Sequence, residues 1–150
     1  MSDSAKPLTV DMEIEIIAPA EKVWAFLASV EGMQSWLGPK VYNPKLGGEI
    51  KFFVDTGENK YNINGEVVVF DPPKSLAFTW NEHQVGGQPW PEPTTVTITL
   101  NPTEGGTRVT LVHSGFEALP QIYRKEQFDS YVEGWKVRDV MTRLKDLLED

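Results

Sequence analysis

The sequence contains no cysteine. Disulfides, thiol nucleophiles and thiolate metal sites are thereby excluded. Histidine is nearly as scarce, with only His83 and His113. No HxH, HxxxH or clustered His–carboxylate spacing occurs, and a zinc site needs three or four ligands. No metal is therefore expected. Positive charge is in deficit: 14 Lys and Arg stand against 22 Asp and Glu, for a net charge of −8. That balance disfavours nucleic acid and anionic membrane surfaces as partners. No apolar run approaches the roughly 18 residues of a membrane span, so no membrane insertion is expected. The opening stretch MSDSAKPLTV lacks the charged and apolar regions of a secretory signal. The expected location is cytoplasmic. No GxGxxG, P-loop or GxSxG motif is present, so no nucleotide cofactor and no hydrolase elbow is expected.

What is present fits one domain. The 150 residues are 40% hydrophobic, enough for a single sizeable core. Aromatics make up 11%, five of them tryptophan. Large rings line apolar pockets as well as cores. Residues 1–7 are small and polar and read as a flexible N-terminus, with one domain over 8–150.

From Leu8 to Ile16, apolar and polar residues alternate as in a half-buried strand. Pro19 and Glu21 suit the start of a helix that carries Val23, Phe26, Leu27 and Val30. Gly32 reads as its stop, and a second short helix runs from about Met33 to Leu37. Further strands read over Gly48–Val54, Tyr61–Phe70, Ser75–Trp80 and Thr95–Leu100, with the last in RVTLVHSGF. Asn81–Pro93 reads as the longest interstrand loop. From about Gln121 to the end, Phe128, Tyr131, Val132, Trp135, Val140, Leu144 and Leu147 recur at helical steps. The fold class is α+β: about six antiparallel strands, strongly curved, wrapped around one long C-terminal helix, with two short helices after the first strand.

The ordered set APAEKVWAFLAS, GGEIKF, GEVVVFDPPKSLAFTW, TRVTLVHSGF and EGW covers nearly the whole chain. In that set the chain resembles the START/Bet v I-like helix-grip (SRPBCC) superfamily, and within it the branch related to the activator of the 90-kDa heat-shock-protein ATPase. The resemblance implies a sheet gripping the C-terminal helix, with an apolar cavity between them. It implies no transferable catalytic set, because the superfamily includes lipid and hormone carriers, polyketide cyclases and co-chaperone domains. The full co-chaperone has a separate N-terminal domain that contacts the chaperone. Here the grip domain starts by residue 8, which places a chaperone partner behind the other readings.

The inward register of Val109 and Leu111 continues to His113. That position is either a polar anchor in the cavity or a buried, hydrogen-bonded structural histidine. Trp36, Phe52, Phe78, Trp80, Phe116, Phe128, Tyr131 and Trp135 complete the candidate cavity lining. Trp90 is either a gate or a ring packed outside. Gly134 costs ~1 kcal/mol inside a helix, which close approach of the helix to the sheet would offset. The leading expectation is a binder of a small hydrophobic or amphipathic molecule, as monomer or homodimer. One alternative is a cyclase/aromatase- or hydratase-like enzyme using His113, Tyr131 and Glu82. The other is a stress-related co-chaperone-like interaction domain.

Overall fold

The computed structural model of the chain describes residues 8–149. The flexible segment expected over residues 1–7 lies outside the described residues. Strand β1 (Val10–Ile16) keeps its alternation, with Val10 and Ile16 buried and Asp11, Glu13 and Glu15 exposed. The acidic outer face meets Arg108, whose Nε lies 2.8 Å from Glu15 Oε1. Strands β3 (Glu49–Asp55), β4 (Lys60–Asp71), β5 (Ser75–Gln84), β6 (Thr94–Thr103) and β7 (Gly106–Ser114) follow the hairpin order read from sequence. A further strand, β2 (Val41–Tyr42), is too short to show any alternation and brings the sheet to seven. The spatial order is β1-β7-β6-β5-β4-β3-β2, antiparallel at every pairing. The result is the expected α+β helix-grip layout.

Helix α1 (Ala20–Leu27) buries Ala20, Val23, Trp24 and Leu27, one face at three- and four-residue steps. Helix α2 runs over Val30–Trp36, so Gly32 lies inside it and is not a stop. The break falls earlier, at Ser29, whose hydroxyl accepts the Gly32 N–H at 3.0 Å as an N-cap. Gly32 is required by proximity: a Cβ there would sit 2.6 Å from the Phe26 carbonyl oxygen.

The C-terminal helical segment divides in two. Helix α3 (Gln121–Arg138) ends at Asp139, which adopts the left-handed conformation with φ 49° and ψ 48°. Aspartate tolerates that conformation better than most residues. Helix α4 (Val140–Glu149) then buries Val140, Met141, Leu144 and Leu148 and packs against β1 and α2. Along α3 only Trp135 is fully buried, while Tyr123, Phe128 and Tyr131 pack partly against the core. Val132 and Leu147, read as core from their spacing, stay 41% exposed. The apolar spacing itself slips at Asp139, with a five-residue step from Trp135 to Val140 that marks a change of face.

The deepest polar contact between α3 and the sheet runs through His113. His113 is completely buried. The Trp135 Nε1–H donates to His113 Nδ1 at 3.0 Å. An indole nitrogen only donates, so Nδ1 is unprotonated and the ring proton resides on Nε2. Nε2 meets Thr94 Oγ1 at 2.7 Å, and the Thr94 hydroxyl donates onward to the Trp80 carbonyl at 3.0 Å. Every polar atom in the line is satisfied. Rings close the remaining sides, with Phe116, Tyr131 and Trp80 at centroid distances of 4.5, 5.0 and 5.3 Å. The imidazole is thus a neutral tie within packed aromatics.

Two outcomes follow from this packing. Gly134 is not a close-approach glycine, because a Cβ there would meet nothing within 4 Å. Gly134→Ala is therefore expected to raise stability by about 1 kcal/mol in urea denaturation, through helix propensity alone. A loss of stability would refute that account of the site. For His113, burial depresses the pKa from 6.5 to about 3. Below pH 6.5 the unfolded chain takes up a proton that the folded chain refuses. The His113 contribution is therefore complete above 6.5 and declines as pH falls toward 3, by up to ~1.4 kcal/mol per pH unit. Urea unfolding at pH 7 and pH 5 is expected to show a loss of roughly 2 kcal/mol more in the wild type than in His113→Gln. Equal losses in both proteins would show that the buried ring is not the source.

Candidate functional site

Beside that packed cluster, a partly open cleft of about 440 Å³ separates α3 from the β3–β5 end of the sheet. Alternation on the strands sets its floor. Val54 comes from β3, Tyr61 and Ile63 from β4, and Trp80 and Glu82 from β5. In the β4–β5 register, Ile63 stands opposite Glu82. Directly opposed residues share a face, so both side chains belong to the inner surface. On the helical side, Gln127, Tyr131, Gly134, Trp135 and Arg138 recur at three- and four-residue steps and form one stripe. Gly134 leaves open volume in the middle of that stripe. Glu126 and Arg138 are exposed at its two ends.

The expected loop Asn81–Pro93 begins later than its composition suggests. Asn81–Gln84 continue β5 and pair with Asn64–Tyr61 of β4. The inward series Leu76, Phe78, Trp80 therefore extends to Glu82, while His83 lies opposite Asn62 on the other face. The two neighbours do not converge on one opening. Trp90, further along the same segment, is buried with 6% exposure. Asn81 fixes it through both amide atoms, accepting from Trp90 N and donating to Trp90 O, each at 2.9 Å. Its ring packs on Tyr131 and Phe116 at 5.9 and 6.4 Å. Trp90 thus belongs to the core wall behind Tyr131.

Glu82 and Tyr131 form the polar centre of the cleft. The Trp80 Nε1–H donates to Tyr131 Oη at 2.8 Å, and the Tyr131 hydroxyl donates to Glu82 Oε1 in a short hydrogen bond. Burial raises the Glu82 pKa above the usual carboxylate value, opposed by the Tyr131 hydrogen bond and by His83. Burial also raises Tyr131 well above the ordinary phenol value, reinforced by the Glu82 charge. Glu82 Oε2 makes no hydrogen bond and Glu82 forms no ion pair among the described residues. The arrangement offers a carboxyl oxygen to an occupant, with a phenol and two indoles beside it.

Of the aromatic candidates, Trp80, Tyr131 and Trp135 line this cleft. Phe52 and Phe78 lie against Trp80, with centroids 4.8 and 6.3 Å away, and contribute support without lining it. Phe116 is fully buried, and Phe128 packs on it at 5.4 Å. His113 contacts Trp80, Tyr131 and Trp135 from within the core. Trp36 is buried away from the cleft, and its carbonyl accepts from Arg143 at 3.2 Å. Tyr61 and Ile63 were missed as lining residues, although their alternation in YNINGE marks one face of a strand. Glu126, Gln127, Ser130 and Arg138 carry no such mark, since a polar helical residue looks the same in sequence at a cleft and in bulk solvent. Among the described residues, no group of three or more His, Asp or Glu side chains gathers as a metal site. No described helix is long and apolar enough to cross a membrane.

Comparison with known proteins agrees with this architecture. The chain is similar to protein MLL2253 from Mesorhizobium loti, at 28% identity over 93% of this chain and 96% of that one, with a TM-score of 0.73. It is also similar to protein Ms6760 from Mycobacterium smegmatis, at 21% identity over 94% and 90%, with a TM-score of 0.73. The Aha1 dimer from Colwellia psychrerythraea, a solution structure, matches at 22% identity over 94% and 96%, with a TM-score of 0.66. At those lower identities the likeness is one of fold. No curated protein matches significantly. The family model described as Activator of Hsp90 ATPase homolog 1-like protein matches residues 17–149, and the chain belongs to that family.

Proposed function

We propose that this protein binds one small amphipathic molecule in the cleft between α3 and the sheet. The observation that carries the reading is the cleft's construction. Its volume of about 440 Å³ lies within the range of small-molecule sites. Its walls are Val54, Ile63, Trp80 and Trp135, with Glu82 and Tyr131 as convergent polar groups. The apolar walls supply non-directional attraction, roughly proportional to the area removed from water. The polar pair fixes orientation.

A second reading rests on the Tyr131–Glu82 hydrogen bond. A half-buried carboxyl with a raised pKa beside a phenol can take a proton and return it. That suits an enzyme of the cyclase/aromatase or hydratase kind. His113 has no part in this version, because both its ring nitrogens are engaged in structural bonds. A chaperone partner and a homodimeric state draw support from the family's description and from the Aha1 dimer among the similar structures. A coupled ATPase assay with the chaperone, run at high concentrations of this protein, addresses the first. Sedimentation addresses the second.

Two experiments test the cleft. Titration calorimetry with 1-octanol, octanoate and octylamine is expected to give saturable one-to-one binding of at least one probe. Gly134→Phe, which fills the open volume of an otherwise unobstructed helical position, is expected to weaken that binding at least about tenfold with the fold retained. Undiminished binding would place the ligand elsewhere. For the second reading, proton NMR in D2O is expected to show exchange of the α-hydrogens of 2-octanone above the buffer rate. The exchange should be lost in Glu82→Gln while binding persists, and exchange at the buffer rate in the wild type would dismiss the enzyme.

A further inference from the structure

We infer that the cleft selects a ligand bearing a protonated amine, seated against Glu82 beside Trp80 and Tyr131. This rests on the binding reading above and narrows it to a chemical class. The first observation is the unfilled valence of Glu82. Oε1 accepts from Tyr131, whereas Oε2 has no hydrogen-bond partner and the carboxylate forms no salt bridge among the described residues, and this oxygen is not sealed within the protein. A half-buried carboxylate with one open oxygen is a ready partner for a cation. An ammonium group supplies both the charge and the N–H donors that this oxygen lacks.

The second observation is the aromatic enclosure. Trp80, Tyr131, Trp135 and Tyr61 all line the same cleft. Trp80 and Tyr131 stand edge to face at 5.9 Å, with Trp135 5.6 Å from Trp80. The negative faces of such rings attract a cation and are indifferent to a neutral hydroxyl. Charges of both signs stand exposed at the ends of the stripe, Glu126 at one and Arg138 at the other, and the Arg138 charge reaches Tyr131. The preference is therefore assigned to Glu82 and its rings and not to the rim.

The third line is linkage. Burial raises the proton affinity of Glu82, and a bound ammonium favours its ionised form. Amine binding therefore weakens as pH falls and Glu82 takes up its proton, while an alkylamine stays charged. The titratable and charged groups around Glu82 are Tyr131, Glu126 and Arg138 from α3, Tyr61 from β4 and, on the opposite face of its own strand, His83, with His113 behind Trp80. Glu82→Gln separates Glu82 from all of them, and it keeps an oxygen to accept the Tyr131 hydrogen bond.

Calorimetric titration of the intact protein with octylamine, 1-octanol and octanoate at matched chain length tests the assignment. At pH 7 octylamine is expected to bind at least about tenfold more tightly than either of the others, the margin of a charge-assisted hydrogen bond. That preference should collapse in Glu82→Gln. In the wild type, octylamine affinity should fall as pH is lowered from neutrality toward the ordinary carboxylate range while octanol affinity holds steady, a measurement that needs no variant. Octanol or octanoate binding as tightly as octylamine would overturn the amine and leave the cleft as a binding site. Failure of all three to bind would overturn both.

Discussion

Trp135 meets a buried imidazole of the sheet, and the position of α3 depends strongly on that meeting. The indole N–H reaches His113, and His113 reaches Thr94 at the start of β6. One turn earlier Tyr131 bonds Trp80 and Glu82 of β5, but Trp135 is the helix's only fully buried residue. Apolar attraction alone would not fix the helix in rotation or in distance, since burial has no preferred direction. A directional hydrogen bond does both. With Trp135 pinned, the residues one turn to either side, Tyr131 and Arg138, are carried to the edge of the sheet. The cleft is what remains between that edge and the curved strands.

The C-terminal segment accordingly has two parts with different work. Helix α4 seals the core with Val140, Met141, Leu144 and Leu148. Helix α3 offers a mostly polar surface anchored at Tyr131 and Trp135, and it forms a wall without filling the space behind it. Asp139 separates them by turning the chain through a left-handed residue. An unbroken helix would have carried the apolar face of α4 off the core, or drawn α3 down onto the sheet. The kink therefore permits a tight core and an open cleft on the same stretch of chain.

Much of this was legible in the residues. Alternation in β1, β6 and β7 located strands and faces, and the inward slot of His113 was read correctly from Val109 and Leu111. What that slot faces was not legible. An imidazole pointing into a cavity and one bonded to Trp135 and Thr94 have the same sequence register, and only the neighbours decide between them. Glu82 was obscured differently. The series Leu76, Phe78, Trp80 predicts an inward residue at 82, but Gly86-Gly87 and the prolines beyond made the whole stretch resemble a loop. Pairing with β4 carried the strand four residues further. The Asp139 break left one trace, the five-residue step from Trp135 to Val140, which is easily passed over between runs of regular helical spacing.

Gly134 and Glu82 show where the fold departs from the choices that would stabilise it most. A glycine in mid-helix with nothing over it yields helix propensity with no packing in return. A half-buried carboxylate without a counter-ion resists its own ionisation. Many other local choices agree with the structure: Ser29 caps α2, Asn81 satisfies the Trp90 backbone, and Arg108 meets the acidic face of β1, whereas Trp36 Nε1 and His83 Nδ1 are buried without hydrogen-bond partners. Such consistency is what folding demands, and exceptions to it concentrate where a protein has another task. Gly134 and Glu82 line one cleft, on opposite walls of it. Glycine there keeps volume free, and the carboxylate keeps a hydrogen-bonding valence free. Neither vacancy helps the isolated chain, and the ligand proposed above would relieve both, filling the space and satisfying the oxygen.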